Sequence, residues 1–294
     1  MTQQPCTSPI IEGMPAEDSP AAILIDVRTG GHPDEGYDRV VFDFRDGDSM
    51  PGFSVSYEQE IFQDPQGSPL PMLSGAKLLV SMSWAAAHEN GNLTVPPGDL
   101  DLRPNLPRIK QVKRAGDFEN VLSFGIAVDP EGDPAPFRAF ALEGNRVVID
   151  IAHAGQNPWY CGQIYFADQQ KIINNVDPPV TAVERRLTKP AVAGAALNEL
   201  FKGPNLAERE RGLTFVDSHA TGFADLRISQ WKVAHVRLLG PISSDGSSVI
   251  TIASEIIPTL KQFPTVDWVK IYDEDGKTQQ PDGPVDSIPE QLEP

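Results

Sequence analysis

Tyr37-Asp38-Arg39-Val40-Val41-Phe42-Asp43-Phe44 is the stretch from which the fold is read. Val40, Phe42 and Phe44 fall on one side of an extended chain, and Arg39, Val41 and Asp43 on the other. Such a period of two marks a strand with one buried face, because successive side chains leave a pleated strand in opposite directions. Phe53-Ser54-Val55-Ser56-Tyr57 repeats the pattern more cleanly, with both serines turned away from Phe53, Val55 and Tyr57. Comparable runs recur at 23–28, 77–82, 108–114, 121–127, 137–142 and 146–151. Turn-forming residues separate them: Gly30-Gly31-His32-Pro33, Asp46-Gly47-Asp48, Pro96-Pro97-Gly98-Asp99 and Pro130-Glu131-Gly132-Asp133. About eight short strands in roughly 130 residues, with no good helix, predict an all-β sandwich or barrel. Within it only Trp84-Ala85-Ala86-Ala87-His88 reads as a helical turn.

Beyond His153-Ala154-Gly155-Gln156-Asn157-Pro158 the period changes. Segments 163–167 and 180–187 read as strands, and a helix is predicted from Lys189-Pro190 to Lys202, closed by Gly203-Pro204. Its Ala193, Ala196, Leu197, Leu200 and Phe201 make one apolar stripe at spacings of three and four. Strands follow at 226–228 and 231–238. A second helical stripe runs through Val249, Ile252, Ala253, Ile256, Ile257 and Leu260, where Pro258 should bend or shorten the helix. A strand at 266–272 precedes a Pro-rich acidic tail. The expected organisation is a flexible tether at 1–22, an all-β domain at 23–153, an α+β domain with two helices on a small sheet at 160–276, and a disordered tail at 277–294.

The 294 residues carry 24 basic and 41 acidic side chains, a formal charge of −17. Residues 1–150 hold 11 bases against 23 acids, 151–270 hold 12 against 11, and 271–294 hold one against seven. Phosphate contacts need clustered cations, so a nucleic-acid partner is excluded. The acidic blocks also read simply as solubilising faces. No apolar run reaches the ~18 residues of a spanning helix.

Two cysteines, Cys6 and Cys161, are too few for a disulfide framework or a Cys-based zinc site, though one bridge between them is open. Cys6 sits in a stretch rich in Pro, Ser, Ala and acids, like the tether of a bacterial lipoprotein hung from a lipidated cysteine. Met1–Pro5 lacks the positive charge and apolar core of an export signal. Either that signal is not in this chain or the protein stays inside. Lipidation at Cys6 is the only membrane association expected.

Two resemblances extend this reading. Val27-Arg28-Thr29-Gly30-Gly31-His32-Pro33 running into Tyr37–Phe44, then Ala115–Glu119, Pro136–Phe140 and Arg146–Asp150, resembles the AMIN-like domain of exported bacterial proteins, with Asp34-Glu35 as a small insertion. Ile164-Tyr165-Phe166, Ala196–Pro204 with Glu208 and Gly212-Leu213, and Thr259–Val266 resemble the GerMN domain of sporulation and germination proteins. Val236-Arg237-Leu238-Leu239 stands where that family usually has Val-Asp-Leu-Ser. The first resemblance implies a β-sandwich that targets the cell wall. The second implies a non-enzymatic module of envelope lipoproteins and sporulation assemblies. Neither supplies catalytic residues. The expected function is a non-catalytic, extracytoplasmic envelope protein that binds peptidoglycan or an envelope protein assembly. The alternatives are a wall hydrolase or amidase accessory with its own activity, and an intracellular interaction module.

Phosphate-cradling loops, zinc-protease helices and nucleophile elbows are absent from the sequence. Asp217-Ser218-His219 contains triad residue types, yet sequence neighbours do not face one another as a triad must, so a polar loop is expected. The five histidines show no ligand spacing, and His235 falls on the outer face of a strand. Asp129–Asp133 and Asp273–Gly276 lack the closing Glu of a calcium loop and read as acidic turns. No metal or cofactor is expected. The best recognition loop is His32, Tyr37, Asp38 and Arg39, which offers a guanidinium fork, an aromatic face and a carboxylate to sugar or peptide hydroxyls and amides. The same residues admit a structural reading: an Asp38–Arg39 edge ion pair, with His32 holding the Gly30-Gly31 turn.

Overall fold

The alternating run at 37–44 is a strand whose Val40, Phe42 and Phe44 enter a core while Arg39, Val41 and Asp43 face outward. The computed structural model describes residues 6–13, 20–129, 134–246 and 250–293. The chain divides into two units, Met1–Trp159 and Tyr160–Pro294.

In the first unit the strands are β1 (Ile10–Glu12), β2 (Ala22–His32), β3 (Tyr37–Phe44), β4 (Gly52–Glu58), β5 (Ala76–Ser83), β6 (Ala85–Ala86), β7 (His88–Glu89), β8 (Asn92–Leu93), β9 (Asp101–Leu102), β10 (Ile109–Phe118), β11 (Val121–Val128), β12 (Phe137–Leu142) and β13 (Arg146–Ala152). One sheet runs β1-β4-β5-β11-β10-β9 and the other β12-β13-β3-β2-β6. Inward residues of both sheets share one core, where Phe42 of one meets Phe124 of the other with ring centroids 4.9 Å apart. Each such fully buried Phe or Leu contributes roughly 1.5–3 kcal/mol, which makes the sandwich the stable solution for two half-apolar sheets. The expected helical turn at 84–88 does not form. Trp84 takes a left-handed backbone, and Ala85-Ala86 pairs in parallel with β2, so the small residues serve a sheet edge.

The N-terminal stretch is not a free tether where it is described. Ile10–Glu12 pairs antiparallel with β4, and Cys6 is buried, its carbonyl accepting the Phe137 N–H. An unpaired sheet edge attracts an extended segment, and Ile10 adds an apolar side chain to the core.

The second unit contains β14 (Trp159–Asp168, beginning on the last residue of the first unit), α1 (Gln169–Ile173), β15 (Val180–Thr188), α2 (Val192–Lys202), α3 (Leu206–Glu210), β16 (Leu213–Thr214), β17 (Gly222–Ile228), β18 (Val233–Leu239), α4 (Ile252–Lys261) and β19 (Trp268–Tyr272). Its strands form two small sheets, β15-β14-β16 and β17-β18-β19. The apolar stripes of α2 and α4 pack into one core with both sheets. Gly203 closes α2, and a Thr251–Ser254 capping box opens α4. Pro258 does not stop α4, which runs three residues further; Val249 lies outside the described residues. The chain is thus all-β followed by α+β with two main helices.

The expectation of disorder from 277 onward is corrected. Ser287 accepts from Ile271 N–H and donates to the Val269 carbonyl, forming a parallel bridge at Lys270 along the edge of β19. Leu292 is fully buried in the core. Prolines hold the backbone extended without forbidding an edge position, and the open edge of β19 supplies the partners.

Candidate binding face

Because β3 alternates, Tyr37 and Arg39 lie on the outer face of the β12-β13-β3-β2 sheet and Asp38 does not. Register places Arg138 of β12 beside Asp150 of β13, Asp150 beside Arg39, and Arg39 beside Gly30 of β2. Asp150 is fully buried. Its Oδ1 accepts from Arg39 Nε at 2.6 Å, and its Oδ2 accepts from Arg39 Nη2 at 2.9 Å and Arg138 Nε at 2.8 Å. Three charge-assisted bonds offset the desolvation that a lone buried carboxylate could not survive.

Aromatic rings wall the row. The Arg39 guanidinium lies 5.3 Å from the Tyr37 ring centroid and 5.6 Å from that of Phe140. Arg138 lies 5.0 Å from Phe140 and 5.2 Å from Trp159. His32 stacks on Tyr37 at 4.7 Å. Hydrogen bonding to Asp150 raises the Arg39 pKa further, against the opposing effect of burial, so the charge is permanent. Two guanidiniums around one carboxylate leave a surplus positive charge. Both arginine side chains keep about a fifth of their surface in solvent. Arg39 Nη1 and the two Nη groups of Arg138 have no acceptor among the described residues. A side chain at Gly30 would meet nothing within 4 Å, so the face is open beside Arg39. Such a face can donate forked hydrogen bonds to hydroxyls, amide carbonyls or carboxylates.

Three of the four expected residues, His32, Tyr37 and Arg39, come together here. Asp38 is corrected: it is fully buried and accepts from the N–H groups of Arg108 (2.6 Å) and Ile109 (3.1 Å), with His153 Nε2 at 2.8 Å. Its carboxylate ties β3 to β10 of the opposite sheet and faces no ligand. The Asp38–Arg39 edge pair does not form either, because neighbours on a strand point apart. Arg138, Phe140, Asp150 and Trp159 were missed. The signal for Asp150 was there, a charge inside the apolar run Arg146–Ala152, which in a buried strand requires a partner.

Cys6 and Cys161 are both disulfide-bonded. A half-cystine has no thiol left for a thioether, so the lipidation expected at Cys6 is corrected for this state. In the loop 217–219, Ser218 Oγ accepts from Ile252 N–H, while His219 Nε2 pairs with Asp245 at 3.0 Å. That bond raises the His219 pKa, and no triad is assembled. Among the described residues no cluster of His, Cys, Asp or Glu could hold a metal ion. Most of the acidic turn at 129–133 lies outside the described residues. Asp273 instead turns inward to accept from Lys277 N–H and the Gln291 amide.

The architecture is that of a two-module chain: a β-sandwich with a cationic-aromatic outer face, then an α+β unit. The modules are an AMIN-like domain, matched over residues 22–153, and a domain of the "Sporulation and spore germination" family, the GerMN type, matched over 163–280. The chain carries these two domains in that order, which marks it as envelope- or sporulation-related, and both types are typical of extracytoplasmic proteins. A solved structure of the tandem GerMN domains of the sporulation protein GerM from Bacillus subtilis is 21% identical. The alignment covers 42% of this chain and 46% of that one, with a TM-score of 0.29, so this chain spans less than half of that structure. No curated protein matches the chain. No helix among the described residues is long and apolar enough to cross a membrane.

Proposed function

We propose that the chain is a non-catalytic envelope protein whose AMIN-like domain docks on peptidoglycan through Arg39, Arg138 and Phe140, with the buried rings of Tyr37 and Trp159 backing the guanidiniums. In this reading the GerMN-type domain serves protein contacts. One observation carries the proposal: two guanidiniums held between aromatic rings around a buried carboxylate, with N–H groups to spare, on a strongly acidic domain. The second arginine and the open space at Gly30 are what a ligand would use. The second unit, with 13 bases against 18 acids, meets less repulsion from another protein than the first, with 11 against 23.

Co-sedimentation of the full chain with purified peptidoglycan tests this. The wild type should pellet, and Arg39→Ala and Arg138→Ala should reduce pelleting. Gly30→Glu leaves the core untouched but sets a competing carboxylate beside Arg39, and it should also release the chain. Wild-type pelleting unchanged in all three variants would move the wall site elsewhere. Failure of the wild type to pellet would withdraw the wall and leave protein contacts alone.

A further inference from the structure

His235 belongs to no part of that face. In the second unit, Ala234, Val236, Leu238, Val269 and Ile271 turn inward from β18 and β19. Alternation gives the opposite face to Asp225, Arg227, His235, Arg237 and Tyr272. Register sets Asp225, Arg237 and Tyr272 in one row and Arg227, His235 and Lys270 in the next. Five of these side chains, all but Lys270, line an open depression of about 560 Å³.

The first row is internally satisfied: Arg237 Nε and Nη2 both donate to Asp225 Oδ2, at 3.1 and 2.7 Å. Lys270 donates to the carbonyls of Gln280 and Asp282, and Asp282 and Asp286 offset its charge. Arg227 is exposed and has no acceptor among the described residues. On β17 it takes, one row along, the position that Asp225 holds in the first row, and the residue opposite it is His235 rather than a carboxylate. His235 stacks on Tyr272 at 5.9 Å, with Nδ1 2.9 Å from the phenol oxygen. Burial keeps Tyr272 a neutral phenol, and whichever partner donates in its bond to Nδ1, the pair keeps one hydrogen, on Nε2 or on the phenol oxygen, to donate to a ligand. Burial first, then Arg227 and Lys270, hold the His235 pKa below its ordinary value, so the ring is neutral near pH 7.

We propose that this depression binds a single carboxylate carried on a peptide, with Arg227 as the fork and the His235–Tyr272 pair as the neighbouring donor and apolar wall. Charge decides the class. Arg227 and Arg237 against Asp225, with a neutral His235, leave one uncompensated positive charge. A carboxylate balances it, whereas a phosphate dianion would leave negative charge beside Asp225. The site is independent of the wall reading, because it shares no residue with the Arg39–Arg138 face.

The test is NMR titration of the full chain, following the His235 side chain, with N-acetyl-L-leucine as probe. N-acetyl-L-leucinamide and inorganic phosphate are the controls. The acid should shift His235 saturably and the amide should not. Arg227→Gln, which breaks no hydrogen bond or ion pair among the described residues, should weaken binding by about tenfold or more, the usual loss for one charge-assisted hydrogen bond. Bound carboxylate offsets the field of Arg227, so the His235 pKa should rise on saturation and binding should tighten as pH falls. Equal binding of the amide, binding of phosphate in preference to the acid, no response to the acid, or undiminished binding by Arg227→Gln would each overturn the proposal.

Discussion

Replacing Asp150 with Ala should destabilise the first unit more than most core truncations, although it removes only a carboxylate. The carboxylate is fully buried and takes three hydrogen bonds, two from Arg39 and one from Arg138. Its loss strands two guanidiniums that are about four-fifths covered, each facing the other across the vacated position. Removing one partner from a buried charge cluster costs about 3–5 kcal/mol. For a unit of this size each kcal/mol lowers Tm by roughly 2–4 °C, so the fall should be on the order of 10 °C or more. Calorimetry on the full chain reads it in the transition of the first unit. The sharper arm replaces the whole row, Arg39→Met, Arg138→Met and Asp150→Leu together. Apolar substitution of a complete buried ion cluster is neutral or stabilising by about 1–4 kcal/mol, so Tm should recover while peptidoglycan pelleting is lost. A fall below about 3 °C for Asp150→Ala would instead show that water already solvates the row and that no charge is stranded there.

Three further outcomes follow from other parts of the structure. Glu255, fully buried on α4 and accepting from Ala167 and Val216 N–H, has its pKa pushed up by burial to about 8. A raised carboxyl pKa means stability that is complete below the ordinary value near 4.5 and declines as pH rises through about 8. Glu255→Gln, which keeps an acceptor oxygen, should therefore flatten the fall in Tm of the second unit between pH 5 and pH 9; unchanged pH dependence would assign that fall to other groups. Deleting 277–294 removes Leu292 from the core and leaves Lys270 without its carbonyl acceptors, which should cost about 4 kcal/mol or more by urea unfolding. A midpoint unmoved by that deletion would restore the disordered tail. Deleting 1–20 strips β1 from its sheet and Cys6 from its disulfide, so Tm should drop by an amount matching about 2–4 kcal/mol, and an unchanged Tm would return that segment to a tether.

Much of the candidate face was legible residue by residue and little of it as an arrangement. Tyr37 and Arg39 stood out because a fork and an aromatic share one side of a strand. Asp38 was misread because a carboxylate was counted by its chemistry and not by its side of the pleat, which sends it into the opposite sheet. Arg138 and Trp159 carry no local mark. Each looks like an ordinary residue at a strand or loop until strand pairing brings it to Asp150 or Tyr37.

By itself the sequence determined which residues each strand and helix would bury, and hence an all-β unit followed by an α+β unit. Those patterns are local: a period of two or 3.6 depends only on neighbours, and the turn residues between runs act within a few positions. Tertiary structure alone decided the row Arg138–Asp150–Arg39, in which the paired residues are 12 and 111 positions apart. It alone decided that a Pro-rich acidic tail covers the edge of β19, and that Cys6 is spent in a disulfide. Register between distant strands is a property of the whole packed sheet. A slip of one residue would send every side chain of a strand to the other face, and only closure of the common core forbids it.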